Sequence, residues 1–237
     1  MSLKGKIALI TGATQGIGLA TARALADEGC HLAFCGRNTR QLQRRQKELE
    51  GKGIRVLAVT CDVRNEQSVS ELFKAVRRRF RRIDILINNA GIAHADLPIA
   101  KLLLGAWSDV IATNLTGIFL VTKAALRLMK RGGIIVNNLS VAAKQVFPNS
   151  AAYNASKHGA LGFTNTLREE LREKGIRVMA VLPGATDTDI WNTLSPDAPR
   201  TRMMRPNHVA QAVVAALKLP PETSVDELSI TPSAGAL

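Results

Sequence analysis

One pattern repeats along this chain: a short, essentially continuous apolar run, then a helix-length amphipathic stretch. The apolar runs are Ile7–Ile10, Leu32–Cys35, Val56–Val59, Ile83–Ile87, Ile134–Asn137, Ile176–Leu182 and Leu228–Ile230. They do not alternate apolar with polar residues, so neither face of such a strand is written for water. Strands covered on both faces belong to parallel sheets, because the crossover helices lie on each side. The stretches between them fit that role. Gly16–Glu28 places Ile17, Ala20 and Ala24 on one stripe, Glu66–Phe80 aligns Val69, Phe73 and Val76, and Ala151–Lys174 aligns Phe163, Leu167 and Leu171. The expected fold is α/β: a single Rossmann-like doubly wound parallel sheet of about seven strands, helices on both faces, right-handed crossovers. A length of 237 residues suits one domain spanning 1–237. Aromatic residues make up 4%, so the core has to be built from Ala, Val, Ile and Leu.

The net charge is +13, with basic runs from Arg37 to Lys47 and from Arg77 to Arg82. Charge of this size gathers anions. No aromatic residues are interleaved as stacking platforms, so a solvated basic face is expected and nucleic acid is not an expected partner. The cysteines, Cys30, Cys35 and Cys61, form no C-x-x-C pair and have no histidine at ligand spacing. They read as buried thiols in a reducing compartment, with no metal site. No apolar run approaches the ~20 residues of a membrane span. The first apolar stretch is too short for a signal sequence, so a cytoplasmic protein with no membrane partner is expected.

Ligands of doubly wound sheets bind beyond the carboxyl ends of the strands. After the first run comes Thr11-Gly12-Ala13-Thr14-Gln15-Gly16-Ile17-Gly18. Gly12 suits a tight turn, Gly16 a close approach of backbone to a pyrophosphate, and Gly18 close packing of helix on strand. The helix that follows offers free N–H groups to phosphate. A site reading a ribose 2′-OH carries an acid about 20 residues further on. Here the second run ends Cys35-Gly36-Arg37-Asn38, with Arg40 close by and no carboxylate. A guanidinium grips a 2′-phosphate, so NADP(H) is expected in preference to NAD(H).

Further along stand Asn88-Asn89-Ala90-Gly91, Asn114, Ser140, Tyr153-Asn154-Ala155-Ser156-Lys157, and Pro183-Gly184-Ala185-Thr186-Asp187-Thr188. With the glycine-rich turn, this ordered set resembles the short-chain dehydrogenase/reductase family from about residue 4 onward. The resemblance implies that Gly12, Thr14, Gln15, Gly16, Ile17 and Gly18 hold phosphate, and that Asp62 and Val63 contact the adenine. It implies that Asn88, Asn89, Ala90 and Gly91 support the sheet and line the cofactor. By the same resemblance, Pro183, Gly184, Thr186 and Thr188 are expected to hold the nicotinamide carboxamide. Asn114, Ser140, Tyr153 and Lys157 form the catalytic tetrad, with Tyr153 and Lys157 also against the cofactor. Gln15 departs from the basic residue that many NADP-using relatives carry there.

The chemistry has its own logic. Tyr153 and Lys157 are one helical turn apart and share a face. A free phenol, pKa about 10, is a poor proton shuttle near neutrality. A nearby ammonium favours the phenolate, so Lys157 is expected to tune Tyr153 toward general acid–base work. Ser140 is expected to hold the substrate oxygen, and the Asn114 amide to anchor a water that relays protons to Lys157. Residues 189–206 are expected as a substrate lid. Trp191, Leu194, Met203 and Met204 with Val141, Val146 and Phe147 would form an apolar pocket. Arg200, Arg202 and Arg205 would be available to an anionic substrate.

The expected function is transfer of hydride between NADP(H) and a small-molecule carbonyl or alcohol by a carbonyl reductase, assembled as a homo-dimer or homo-tetramer. Two alternatives stand beside it. One is an NAD-dependent alcohol dehydrogenase working oxidatively. The other is a non-catalytic dinucleotide-binding regulator.

Overall fold

A computed structural model of the chain describes residues 1–235. The elements run β1 (Ile7–Thr11), α1 (Gly16–Asp27), β2 (His31–Gly36), α2 (Thr39–Glu50), β3 (Val56–Thr60), α3 (Glu66–Phe80) and β4 (Ile85–Asn88). They continue through α4 (Leu104–Ile111), α5 (Gly117–Ala125), β5 (Ile134–Asn138), α6 (Ala151–Arg172), β6 (Arg177–Pro183), α7 (Trp191–Leu194), α8 (Pro206–Leu217) and β7 (Glu227–Ile230). The strands form one 7-stranded sheet, ordered β3-β2-β1-β4-β5-β6-β7, and every pairing is parallel. The order reverses between β1 and β4, and a crevice opens beyond their carboxyl ends.

Alternate side chains of β1 serve opposite cores. Ala8 and Ile10 pack with Ala22 and Leu25 of α1 and Val209 and Val213 of α8. Ile7 and Leu9 pack with Val69 and Val76 of α3, Val121 of α5 and Leu167 of α6. This is why a central strand reads as unbroken apolar sequence. The edges differ. β3 grades from buried Val56 to exposed Thr60, and β7 alternates exposed and half-buried residues. Each has a partner strand on one side only, so full burial is not demanded there.

The first basic run forms α2, which sinks only Leu42 and Leu49 and turns Arg40 and Arg44 to solvent, while Arg45 folds back and its Nε donates to Thr14 O at 3.1 Å. Asn38 caps it, its side chain accepting from Gln41 N at 3.0 Å. The second run ends α3, with Arg77, Arg78 and Arg79 in the last turn and Arg81 in the left-handed region at φ 67°. Cations there complement the helix dipole.

One sequence expectation needs correction. Leu104–Ala125 forms a continuous 22-residue helical run containing a window of mean hydropathy 1.4, long and apolar enough by those measures to cross a membrane. A single apolar-run criterion missed it because Asp109, Asn114 and Lys123 interrupt the stretch. Here Ile118, Val121 and Ala125 face the interior.

Candidate active site

The crevice has a volume of about 1370 Å³ and runs from Arg37 at one end to the loop carrying Trp191 at the other. That exceeds the ~300–1,000 Å³ of a typical single-ligand pocket and suits two ligands side by side.

At its floor lies the glycine-rich turn. Gly12 and Gly16 take positive φ, 66° and 55°. α1 starts at Gly16 with no side-chain cap and no acid in its first turn, so its leading N–H groups and partial positive charge are open to an anion. A Cβ on Gly12 would lie 2.9 Å from Ala90 Cα. One on Gly18 would lie 2.3 Å from Asn89 Nδ2 and 2.5 Å from Gly12 O. Gly18 stands behind the wall, where it lets Asn89 donate to Thr11 O and Gly12 O at 3.0 and 3.1 Å. These residues form a shaped anion cradle and fit a dinucleotide pyrophosphate. Gly18→Ala should therefore break the Asn89 bridge, cost ~1–3 kcal/mol of stability by overpacking, and weaken NADPH binding. Thermal melts and NADPH fluorescence titration check both; unchanged affinity in a folded variant would contradict it.

Thr14, Gln15, Ile17, Asp62 and Val63 line the same end, with Arg37, Asn38 and Gln41. Arg40 is exposed on α2 and does not line the crevice. Asp62 is gripped by Arg64, whose Nε reaches both carboxylate oxygens at 3.0 Å and whose Nη2 reaches one at 2.7 Å. That guanidinium holds the carboxyl below its ordinary range, with a smaller contribution from Arg37. Arg64 also bonds Asp109 of α4 at 2.7 Å. The sequence reading missed Arg64; the Asp-x-Arg spacing was the available signal.

Asn89, Ala90 and Gly91 line the crevice. Asn88 does not. Its Nδ2 donates to Thr122 Oγ1 and Asn137 Oδ1 at 2.9 and 2.8 Å, so it braces the sheet from within and is not positioned to touch a cofactor. Pro183, Gly184, Thr186 and Thr188 form the opposite wall.

Ser140, Tyr153 and Lys157 meet at the centre. Ser140 follows β5 and caps a short turn, its Oγ accepting from Ala142 N at 3.1 Å. Lys157 Nζ lies 5.4 Å from the centroid of the Tyr153 ring. Burial pushes the Tyr153 phenol up, and a hydrogen bond with Ser140 pulls the other way. Burial pushes the Lys157 ammonium down to about 8. The expected lowering of the phenol by the ammonium is thus not the governing effect in the free protein; desolvation is.

Asn114 sits in a π-helical turn, Ala112–Thr116, between α4 and α5. Its Nδ2 donates to Ile92 O at 2.9 Å and Ser156 Oγ at 3.0 Å, and its Oδ1 accepts from Ile92 N at 2.9 Å. Both N–H donors are used. The expected water anchor is instead a clamp between the loop after β4 and α6, one residue from Lys157.

The segment 189–206 crosses the far end. Trp191 Nε1 donates to Thr186 O at 3.0 Å. Arg200 donates to Asp187 at 3.0 Å, Thr188 O at 2.7 Å and Asn192 at 2.8 Å. It staples the segment to itself and is not free to receive an anion. Val141, Phe147, Trp191 and Leu194 line the crevice there. Met203 and Met204 are buried behind it and Val146 is 75% exposed, so these three do not form the pocket. Met204 N and O pair with Ala185 O and Asp187 N, which sends its side chain into the core. The acids lining this end are Asp96, Asp189 and Asp197.

The family model described as short chain dehydrogenase matches residues 6–199. A 3-oxoacyl-[acyl-carrier-protein] reductase of Synechocystis sp. is 38% identical over 220 residues, covering 90% of this chain and 89% of that protein. An actinorhodin polyketide ketoreductase solved with NADPH superposes with a TM-score of 0.85 at 37% identity, covering 98% of this chain and 97% of the other. An alcohol dehydrogenase from the archaeon Thermococcus sibiricus, complexed with 5-hydroxy-NADP, gives 0.91 at 31% identity, covering 98% of each.

Proposed function

The chain belongs to the short-chain dehydrogenase family and is an oxidoreductase moving hydride between a nicotinamide dinucleotide and a carbonyl or alcohol; from that premise we propose an NADP-dependent carbonyl reductase acting through Tyr153, Lys157 and Ser140. The observation that carries the reading is the convergence of those three side chains on a crevice continuous with the glycine-rich anion cradle. When bound, the dinucleotide supplies the hydride.

The chain's own residues do the rest. The Tyr153 hydroxyl, kept neutral by burial, is in the form that gives a proton to a carbonyl oxygen. Ser140 donates to the same oxygen, and Lys157 holds positive charge beside the phenol. Asn114 fixes the helix that carries them. Relatives of this similarity do not favour a non-catalytic regulator.

NADP preference rests on Arg37 at the end of β2, where no carboxylate stands to read a 2′-OH. Arg37→Asp should lower kcat/KM with NADPH at least tenfold, the loss of a charge-assisted bidentate pair, and raise that with NADH. Equal use of both cofactors by the parent would remove the argument.

The mouth is lined by apolar groups and carboxylates, with Arg200 turned inward. A neutral ketone or aldehyde suits it better than an anion. Segment 189–206 serves as its lid in a single domain spanning 1–237. Assembly as a homo-dimer or homo-tetramer is supported by the exposed apolar side chains of Leu104 on α4 and Phe119 on α5. A panel of neutral and anionic carbonyl compounds, followed by NADPH absorbance, tests the function. Oxidation of NADPH with neutral ketones is expected, and turnover confined to carboxylated substrates would overturn the substrate reading.

A further inference from the structure

At the end of β5, Asn138 joins two parts of the site. Its Nδ2 donates to Asn89 Oδ1 at 2.9 Å, and Asn89 Nδ2 donates to Thr11 O and Gly12 O. Those two carbonyl acceptors fix which end of Asn89 is nitrogen. Asn89 Oδ1 must then accept and Asn138 must donate, which sets the orientation of Asn138 as well. The remaining Asn138 atom, Oδ1, is buried without a hydrogen-bond partner. On its main chain, the Asn138 carbonyl accepts from Lys157 Nζ at 3.5 Å, a long bond. An ammonium has three N–H donors. A lysine under-supplied with acceptors thus rests against an asparagine with one unused. A buried acceptor left unpaired is costly.

We propose that Asn138 is a positioning residue that ties the phosphate-binding turn to Lys157. It bridges to the turn through Asn89, holds the lysine through its main-chain oxygen, and offers Oδ1 as a second acceptor when Nζ takes its working position. The inference rests on reading Lys157 as catalytic. The titratable group against Lys157 is Tyr153 on its own helix. From the loop after β4 it faces Gly91, and Asn114 Oδ1 of the π-turn lies on the same side of that glycine. No carboxylate or second cation contributes to its depressed ionisation among the described residues.

The test uses Asn138→Leu and Asn138→Asp, the protein saturated with NADP⁺ and ¹³Cε-labelled lysine. The Lys157 resonance is assigned by its absence in Lys157→Met. Leucine removes the second acceptor that favours the ammonium there, so the Lys157 midpoint should fall below the parent's in the same complex. Aspartate keeps an acceptor and adds charge, so the midpoint should rise. Neither can donate to Asn89, so both should bind NADPH ~3–10-fold more weakly, one ordinary hydrogen bond. The alkaline limb of kcat/KM should move with the midpoint. A merely structural role would change the melting temperature and leave the midpoint in place. An unmoved midpoint, or unchanged NADPH affinity, in a folded variant overturns the proposal; if leucine fails to fold, aspartate decides alone. Full turnover by Lys157→Met would instead sink the catalytic reading, leaving the resonance and affinity results to judge Asn138 separately.

Discussion

Phenylalanine in place of Tyr153 will lower kcat about 10³-fold, within the range for losing a positioned general acid, while NADPH affinity stays within about twofold. The substitution removes one oxygen from a half-buried side chain and leaves the ring in place. The glycine cradle, Arg37 and the wall from Pro183 to Thr188 are untouched, so binding has no reason to change. The carbonyl oxygen that must take a proton as hydride arrives loses its donor. Ser140 remains within reach of the same position, but a serine is a far weaker acid than a phenol. Steady-state kinetics and NADPH fluorescence titration separate the two quantities. A variant keeping more than a tenth of parental turnover would remove Tyr153 from the mechanism.

Lys157→Met will pull activity and stability in opposite directions. The side chain is buried, and burial alone brings its pKa from 10.5 to about 8. At 1.36 kcal/mol per unit, holding that ammonium in the crevice costs on the order of 3 kcal/mol at neutral pH. The folded-state pKa lies below the unfolded one, so the unfolded chain binds more protons between about pH 8 and 10.5. The penalty is complete below pH 8, and parental stability rises with pH across that window. Methionine has nearly the lysine's length and carries no charge. The variant should melt roughly 6–12 °C higher at pH 7, taking ~2–4 °C per kcal/mol for a chain of this size. It should lack the alkaline rise and lose about 10²–10³ in turnover. Calorimetry at pH 7 and pH 10 checks the sign, and a variant less stable than the parent at pH 7 would contradict the account.

The central strands were plain in the sequence because burial on both faces forces unbroken apolar runs such as Ile7–Ile10. The edge strands showed as the runs Val56–Val59 and Leu228–Ile230, but their place at the edges did not, because β3 and β7 need only partial cover and the same residue types serve there. α2 showed only as helical spacing in the first basic run, because it anchors on only Leu42 and Leu49 among arginines and glutamines. The residues gathered at the crevice were legible as motifs, since a glycine turn and a tyrosine–lysine pair need fixed spacing. What the motifs could not tell was which members face the crevice. Asn88 and Asn89 are adjacent and chemically identical, yet strand alternation sends Asn88 into the sheet and Asn89 to the turn. The same limit applies to Asn114, whose amide is consumed by Ile92 and Ser156, and to Arg200, spent on its own segment. Asn138 acts through contacts distant in sequence, Asn89 and Lys157, which no local pattern announces.

A crystal structure of the protein with NADP⁺ tests the central claim most directly. The pyrophosphate should lie on the N–H groups of Gly16 and Ile17, the 2′-phosphate against Arg37, and the nicotinamide ring beside the Tyr153 hydroxyl with Lys157 Nζ on its ribose. A dinucleotide seated elsewhere on the sheet, or one whose ring points away from Tyr153 and Lys157, would contradict it.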